Sequence, residues 1–209
     1  RRIFAKSHKI IKRIHNLLTF RGGMWYTLYN GYQMKQKKGA LCMFEKGEYV
    51  VYGSKGVCRI QEISHVDIPG VDQKRLYYIM HPVQNSGQTL YLPTDSTKAV
   101  IRRVMTKEEA NRLIHDIPSI EKLEVPNEKQ REASYKQALQ GCSGRDWISI
   151  LKTLNQRKEE RLAAGKKITA LDERYLRVTE QELYGELSVV LGIEKENMHD
   201  YIQEQIAAL

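Results

Sequence analysis

Two short β-prone runs joined by a glycine-containing turn restrict the fold of this chain more than any other feature. Tyr49–Tyr52 reads Tyr-Val-Val-Tyr between two glycines, and Cys58–Ile63 alternates apolar and polar residues. Aromatic and β-branched residues favour extended backbone, and glycines favour tight turns. The pattern predicts a strand, a tight turn and a second strand at the start of a β-rich module.

Three more strand-like runs follow before residue 105. Asn85-Ser-Gly87 is a hairpin signal between the third and the fourth strand. Five short strands around one small core are typical of an SH3-like or Tudor-like β-barrel. The predicted strands lie at about 48–53, 56–66, 74–83, 87–93 and 99–104.

Helical signals begin directly after these strands. Thr106–Glu109 has the sequence of a capping box, and apolar residues recur after it at helical spacing. Pro118 and Pro126 then interrupt the pattern, which indicates a linker. Beyond the linker, apolar stripes that place Trp147 in a core predict a compact helical domain. Its four helices are expected at about 127–140, 144–164, 169–190 and 195–206.

The predicted fold class is therefore α+β with several domains: an N-terminal five-stranded β-barrel followed by a compact all-α domain. The barrel spans 43–104, the linker with its short helix spans 105–126, and the helical domain spans 127–209.

The first 42 residues differ from the rest in charge. They hold ten Lys or Arg and no acid, which leaves 24 basic against 25 acidic residues in the remainder. The segment could form a basic amphipathic helix for a membrane surface or nucleic acid. The favoured hypothesis is different: Lys37–Ala40 can be encoded by a ribosome-binding sequence, so that the native protein begins at Met43. The basic extension 1–42 is then non-native or disordered.

Charge is also uneven within the helical part. Residues 129–177 hold twelve basic and six acidic residues, whereas residues 178–209 hold one basic and seven acidic residues. This distribution indicates a basic face beside an acidic tail. Either could also be an ordinary solvated surface.

Sequence motifs for phosphate-binding loops, serine hydrolases and zinc proteases are absent, so no enzymatic activity is expected. Cys42, Cys58 and Cys142 lie far apart with no C-x-x-C pair, which disfavours a metal site or a disulfide framework. We expect no cofactor, and we expect Cys58 to pack as a small apolar residue. Because no apolar run approaches the roughly 18 residues of a membrane span, a cytoplasmic protein with no membrane partner is expected.

The strand region and the last helices carry a family resemblance. The runs FEKGEYVVYGSKGVCRIQEI, YYIM and LYLPTD, followed by the segments at 164–172 and 182–187, resemble the CarD family of bacterial transcription regulators. Its N-terminal module is shared with transcription-repair coupling factors. The resemblance covers about Met43 to Leu191, and it implies the same barrel fold.

The resemblance implies that the barrel binds the β subunit of RNA polymerase through an exposed strand edge, since such an edge offers unpaired backbone groups. By position, the candidate contacts are His65, Val66, Leu90 and Tyr91. Some relatives carry arginines where Val66 and Tyr91 fall.

The resemblance further implies that the helical domain contacts promoter DNA largely independently of sequence and modulates the stability of the open promoter complex. Well-studied relatives insert a Trp wedge where Arg131 aligns in this chain. A nucleoid-associated monomer is expected. The candidate phosphate contacts are Arg131, Lys136, Arg157, Lys158, Arg161, Lys166 and Lys167.

The alternative function is a protein-only adaptor. In that interpretation the barrel binds RNA polymerase, and the helical domain binds a second protein through its acidic tail. The nearly balanced charge after Met43 and the missing Trp wedge favour it.

Overall fold

A computed structural model of the chain describes residues 44–85, 87–97 and 99–209. The predictions made for residues 1–42 and for a start at Met43 lie outside the described residues.

The five predicted strands are present and form one antiparallel sheet in the order β4-β3-β2-β1-β5. In this order β4 and β5 are the two edges, and no pairing joins them among the residues described. The α+β class is confirmed, whereas closure of the sheet into a barrel is not shown. The strands are β1 (Tyr49–Tyr52), β2 (Val57–Ser64), β3 (Tyr77–Pro82), β4 (Leu90–Pro93) and β5 (Ile101–Arg103).

Alternation along the strands gives the sheet two different faces. One face carries a small core with Cys58 fully buried at its centre, as predicted. Phe44 covers part of this core, with its ring 5.9 Å from that of Tyr78. The buried members are Phe44, Val50, Cys58, Ile60, Tyr78, Met80 and Leu92.

Five helices follow the sheet. The predicted capping box is present, because Thr106 and Glu109 exchange side-chain and backbone hydrogen bonds. Thr169 caps the fourth helix by accepting from the Asp172 N–H, whereas Ser143 makes no side-chain cap bond before the third. None of the described helices is long and apolar enough to cross a membrane. The helices are α1 (Lys107–Asp116), α2 (Arg131–Gln140), α3 (Gly144–Ala163), α4 (Ala170–Leu191) and α5 (Met198–Ala207).

The second face of the sheet shares a core with the helices. Val51 of β1 and Val57 of β2 belong to the same apolar cluster as Trp147, which is 1% exposed. The helix predicted inside the linker, α1, contributes Ala110 and Leu113 to that cluster. One face of the sheet, α1 and the remaining helices therefore share one apolar core, which is distinct from the small core on the other face.

Candidate functional site

The β4 edge of the sheet presents backbone groups that no neighbouring strand uses. Tyr77 pairs with Pro93, and the Thr94 N–H donates to the Leu76 carbonyl one position further on. Because hydrogen-bonded and non-hydrogen-bonded pairs alternate in an antiparallel ladder, the Tyr91–Ile79 pair is non-hydrogen-bonded. The N–H and C=O of Tyr91 therefore point away from β3, along the open edge.

The four side chains predicted at this surface differ in exposure. Tyr91 is 42% exposed, and exposed His65 donates from Nδ1 to the Gln73 carbonyl over 3.0 Å. Val66 is buried, and Leu90 packs against the sheet core. The structure thus leaves Tyr91 and His65 accessible as side chains, while Val66 and Leu90 face inward because they complete apolar packing.

An exposed row of side chains crosses the sheet beside this edge. Arg59 of β2 lies over the Tyr49 ring, 5.9 Å from its centroid, and pairs in register with His81 of β3. Nε2 of His81 lies 3.2 Å from Oγ1 of Thr89. Sequence reasoning did not single out this row. The alternation in β1 and β2 nevertheless places Tyr49 and Arg59 on the face opposite the small core that contains Cys58.

The opposite edge of the sheet is joined to α4 by an ion pair whose acid is buried. Arg102 of β5 donates to both carboxylate oxygens of Glu186 on α4, at 2.6 and 2.7 Å, and Glu186 is fully buried. The Met105 N–H donates to the same carboxylate over 2.9 Å. Arg102 also donates to the Cys142 carbonyl and lies 5.5 Å from the centroid of Trp147. We call Arg102 and Glu186 the junction pair.

A second acid of α4 faces the sheet without such a partner. Oε2 of Glu182 is buried and has no hydrogen-bond partner within the described part of the chain. Burial is the main cause that raises the pKa of Glu182 to about 7, against an ordinary value of 4.5. A side chain at Gly56 would stand 3.3 Å from that oxygen, and the φ of Gly56 is +68°. Glycine is therefore required where the β1–β2 turn meets α4.

Two of the predicted DNA-contacting arginines meet at a cluster of charges. Arg131 at the start of α2 and Arg157 of α3 both face Asp172 of α4, which is fully buried. Both also pair with Glu128, whose side chain is 66% exposed. Tyr135 donates to Asp172 from the buried side, and burial is the main cause that raises the pKa of Tyr135 to about 12. We call Arg131 and Arg157 the arginine pair.

The other predicted DNA contacts divide into two groups. Nε of Arg161 donates to the Lys167 carbonyl over 2.8 Å, so the α3–α4 turn places Lys166 and Lys167 beside the end of α3. Lys158, Lys166 and Lys167 are exposed. Arg157 and Arg161 are one helical turn apart, which connects this group to the arginine pair. Lys136 is separate, since it lines a cavity with Gly53, Tyr175 and Glu182.

Sequence reasoning missed the acids that organise these arginines. Asp172 had a signal, because it lies in the first turn of a helix capped by Thr169, but an acid at that position is ordinarily near the surface and Asp172 is fully buried. Glu128 and Glu186 carried no local signal. The described residues contain no group of three or more His, Cys, Asp or Glu placed to hold a metal ion.

Comparison with known proteins gives one family. Residues 44–105 match the family model described as the CarD-like/TRCF RID domain. This match covers the five strands and ends before α1. A search of curated proteins returns no match.

Proposed function

We propose that this chain, a CarD-like family protein, is a transcription regulator. Its RID domain spans residues 44–105, and the family interacts with RNA polymerase. In this proposal the sheet binds the polymerase β subunit and the helical part contacts promoter DNA. One copy of the chain then bridges the two and modulates the stability of the open promoter complex. A protein held in this way is nucleoid-associated.

The single observation that carries the polymerase part is the free β4 edge within the matched domain. The Tyr91 N–H and C=O point outward, so a strand of the partner can extend the sheet by main-chain hydrogen bonds. The exposed Tyr91 side chain then supplies contact area beside the added strand. Among the described residues, β4 pairs only with β3, and Tyr91 in its middle is 42% exposed.

The DNA part rests on exposed positive charge. Lys158, Lys166 and Lys167 lie around the end of α3 and the α3–α4 turn, where they can reach successive phosphates without reading bases. Such contacts alone are weak at physiological salt. Binding to polymerase makes DNA contact intramolecular, which raises the effective concentration.

The junction pair connects the two activities physically. Arg102 belongs to the last strand of the polymerase-interacting domain, and Glu186 belongs to the helix that also carries Asp172. A bidentate pair of this kind fixes orientation as well as distance. The sheet and the basic surface are consequently held in one arrangement, as a bridge between two large partners requires.

The polymerase part is tested with a backbone substitution. Tyr91→Pro removes an N–H that points away from β3, and proline is tolerated on an edge strand when its missing N–H faces solvent. We expect this variant to lose affinity for RNA polymerase about tenfold or more, whereas Tyr91→Ala, which keeps the N–H, loses less. Equal binding by Tyr91→Pro and the unmodified chain in a titration would reject strand addition at β4.

A protein-only adaptor is the second candidate. It is favoured by an acidic surface at the C-terminal end, where Glu194, Glu196, Asp200 and Glu204 are all exposed. This surface suits a basic protein partner. The adaptor predicts polymerase binding that depends on β4 but no contribution of the protein to DNA affinity.

A further inference from the structure

We propose that the arginine pair is a binding site for a phosphate group, and that the carboxylate of Glu128 occupies this site until a phosphate displaces it. The proposal rests on the proposed function only for the source of the phosphate, which is the DNA backbone. The site itself is a property of the free chain.

The inner side of the site is fixed by a buried acid. Nε of Arg131 and Nε of Arg157 lie 3.4 and 3.5 Å from the two oxygens of Asp172, as ion pairs and not hydrogen bonds, since neither Nε has a hydrogen-bond partner among the described residues. Asp172 is held in turn by hydroxyl groups, since Tyr135 and Thr169 both donate to it. The guanidinium groups are thus oriented before any ligand arrives, which lowers the entropy cost of binding.

Within the described part of the chain, Glu128 closes the outer side of the site. Nη1 of Arg131 donates to its Oε2 over 2.5 Å, and Nη1 of Arg157 lies 2.8 Å from its Oε1. Nη2 of Arg157 donates to Oε2 over 3.1 Å. The two oxygens of one carboxylate therefore bridge two guanidinium groups. The non-bridging oxygens of a phosphodiester can form the same contacts, because arginine binds both anions in a fork geometry.

The charges leave room for one exchangeable anion. Arg131 and Arg157 carry two positive charges, and the buried acid Asp172 lies between them as one counter-ion. Glu128 is the second counter-ion, although its side chain is 66% exposed. When Glu128 swings out, the site has a net charge of +1, and a phosphodiester replaces it one for one. The acid of α2, Glu132, is held by Arg174 and accepts from Tyr175.

Exposure decides which of the two acids can leave. Water can solvate the Glu128 carboxylate as it leaves, because that side chain is 66% exposed, whereas Asp172 is fully buried and would lose its compensation. Glu128 also precedes α2, in a short turn in which the Gln130 N–H donates to the Asn127 side chain over 3.0 Å. Movement of Glu128 therefore breaks no helix.

The test compares two isosteric substitutions in the full chain. Glu128→Gln removes the competing charge from the site. Glu159→Gln removes an equal charge from α3, two residues beyond Arg157, at an exposed acid with no ion pair among the described residues. Each protein is titrated with a forked promoter fragment in the presence of RNA polymerase. Each is also melted in inorganic phosphate and in sodium chloride at equal ionic strength.

We expect Glu128→Gln to bind the fragment roughly three- to fivefold more tightly, because the phosphate no longer competes with a carboxylate whose own side chain is exposed. We expect inorganic phosphate to raise its melting temperature more than that of the unmodified chain. Glu159→Gln should change neither quantity appreciably. Adding Arg157→Gln to Glu128→Gln should abolish both gains.

The two measurements separate the site from its use. A phosphate-specific gain with unchanged DNA affinity supports the site and rejects DNA as its source. If the unmodified chain does not bind DNA but phosphate still raises the melting temperature of Glu128→Gln more than that of the unmodified chain, the proposed function is rejected and the site is supported. If neither measurement distinguishes Glu128→Gln from Glu159→Gln, the site is rejected.

Discussion

Helix α4 carries two fully buried acids that hold arginines in opposite ways. Glu186, near its C-terminal end, has one arginine, which binds both of its oxygens, and a backbone N–H completes the set. Asp172, near its N-terminal end, has two arginines, and these share a second, exposed acid. The charge of Glu186 is matched by Arg102 within the protein. The two arginines at Asp172 need a second anion, which Glu128 supplies at the surface.

This difference separates a structural ion pair from a binding site. A buried pair with every polar group satisfied cannot release a partner without a large loss of stability. A cluster whose last counter-ion is exposed can exchange that ion at small cost. A buried charge therefore does not by itself indicate a binding site. An exposed counter-ion that another anion can replace does indicate one.

The largest expected effect is at the junction pair. Glu186→Gln keeps the shape but leaves Arg102, whose side chain is 30% exposed, without a counter-ion, so we expect a loss of about 3 kcal/mol in the free energy of unfolding. Urea unfolding measures it. As a control, the double change Arg102→Met and Glu186→Leu should recover most of the loss, because an apolar pair can replace a buried ion pair. A loss below about 1 kcal/mol for Glu186→Gln would mean that the pair is not structural.

A smaller effect is expected from Glu182, the α4 acid that has no arginine. Its pKa is raised to about 7 in the folded state, so between pH 4.5 and 7 the folded protein holds a proton that the unfolded chain has released. Stability from this group is present below pH 4.5 and is lost as the pH rises through 7. Between pH 4.5 and 7 we expect the free energy of unfolding to fall by about 2 kcal/mol, a figure that allows for the partial exposure of Glu182.

Glu182→Gln checks this assignment, because glutamine does not titrate. The difference in unfolding free energy between the two proteins, measured from pH 4 to pH 8, should grow as the pH rises. A pH-independent difference would show that Glu182 has an ordinary pKa.

The smallest effect is expected at Glu128. Because the Glu128 side of these ion pairs is open to water and glutamine keeps a side-chain oxygen beside the two arginines, Glu128→Gln should cost only about 1 kcal/mol of unfolding free energy. Urea unfolding beside Glu186→Gln makes the comparison direct. A loss as large as that of Glu186→Gln would mean that the arginine pair, like the junction pair, mainly stabilises the fold. The two clusters would then not differ in the way proposed.

Local patterns in the sequence predicted the elements of this fold well. The runs around Tyr49–Tyr52 and Cys58–Ile63 are strands, and Thr106 and Thr169 cap helices as expected. Trp147 lies in the core, because its apolar neighbours recur at helical spacing. Strand period and cap chemistry are properties of neighbouring residues, so the sequence carries them.

The charged contacts were not predictable in the same way. Arg102 and Glu186 are 84 residues apart, and nothing local marks them as partners. Arg131 and Arg157 counted as surface charge, although their side chains are only 12% and 25% exposed. Charge counts do not report burial, which depends on how helices pack. Closure of the barrel likewise depends on how distant strands meet, and the pattern of each strand does not determine it.

The most direct test of the bridge between polymerase and DNA is a DNA titration of the full chain with and without RNA polymerase, across a salt series. The Lys158/Lys166/Lys167→Gln variant serves as the comparison, since these exposed lysines have no structural role in the contacts described. We predict binding that requires polymerase and weakens with salt. The variant should lower the salt slope by roughly two to three. Undiminished polymerase binding with no contribution to DNA affinity from either protein would contradict the bridge and favour the adaptor.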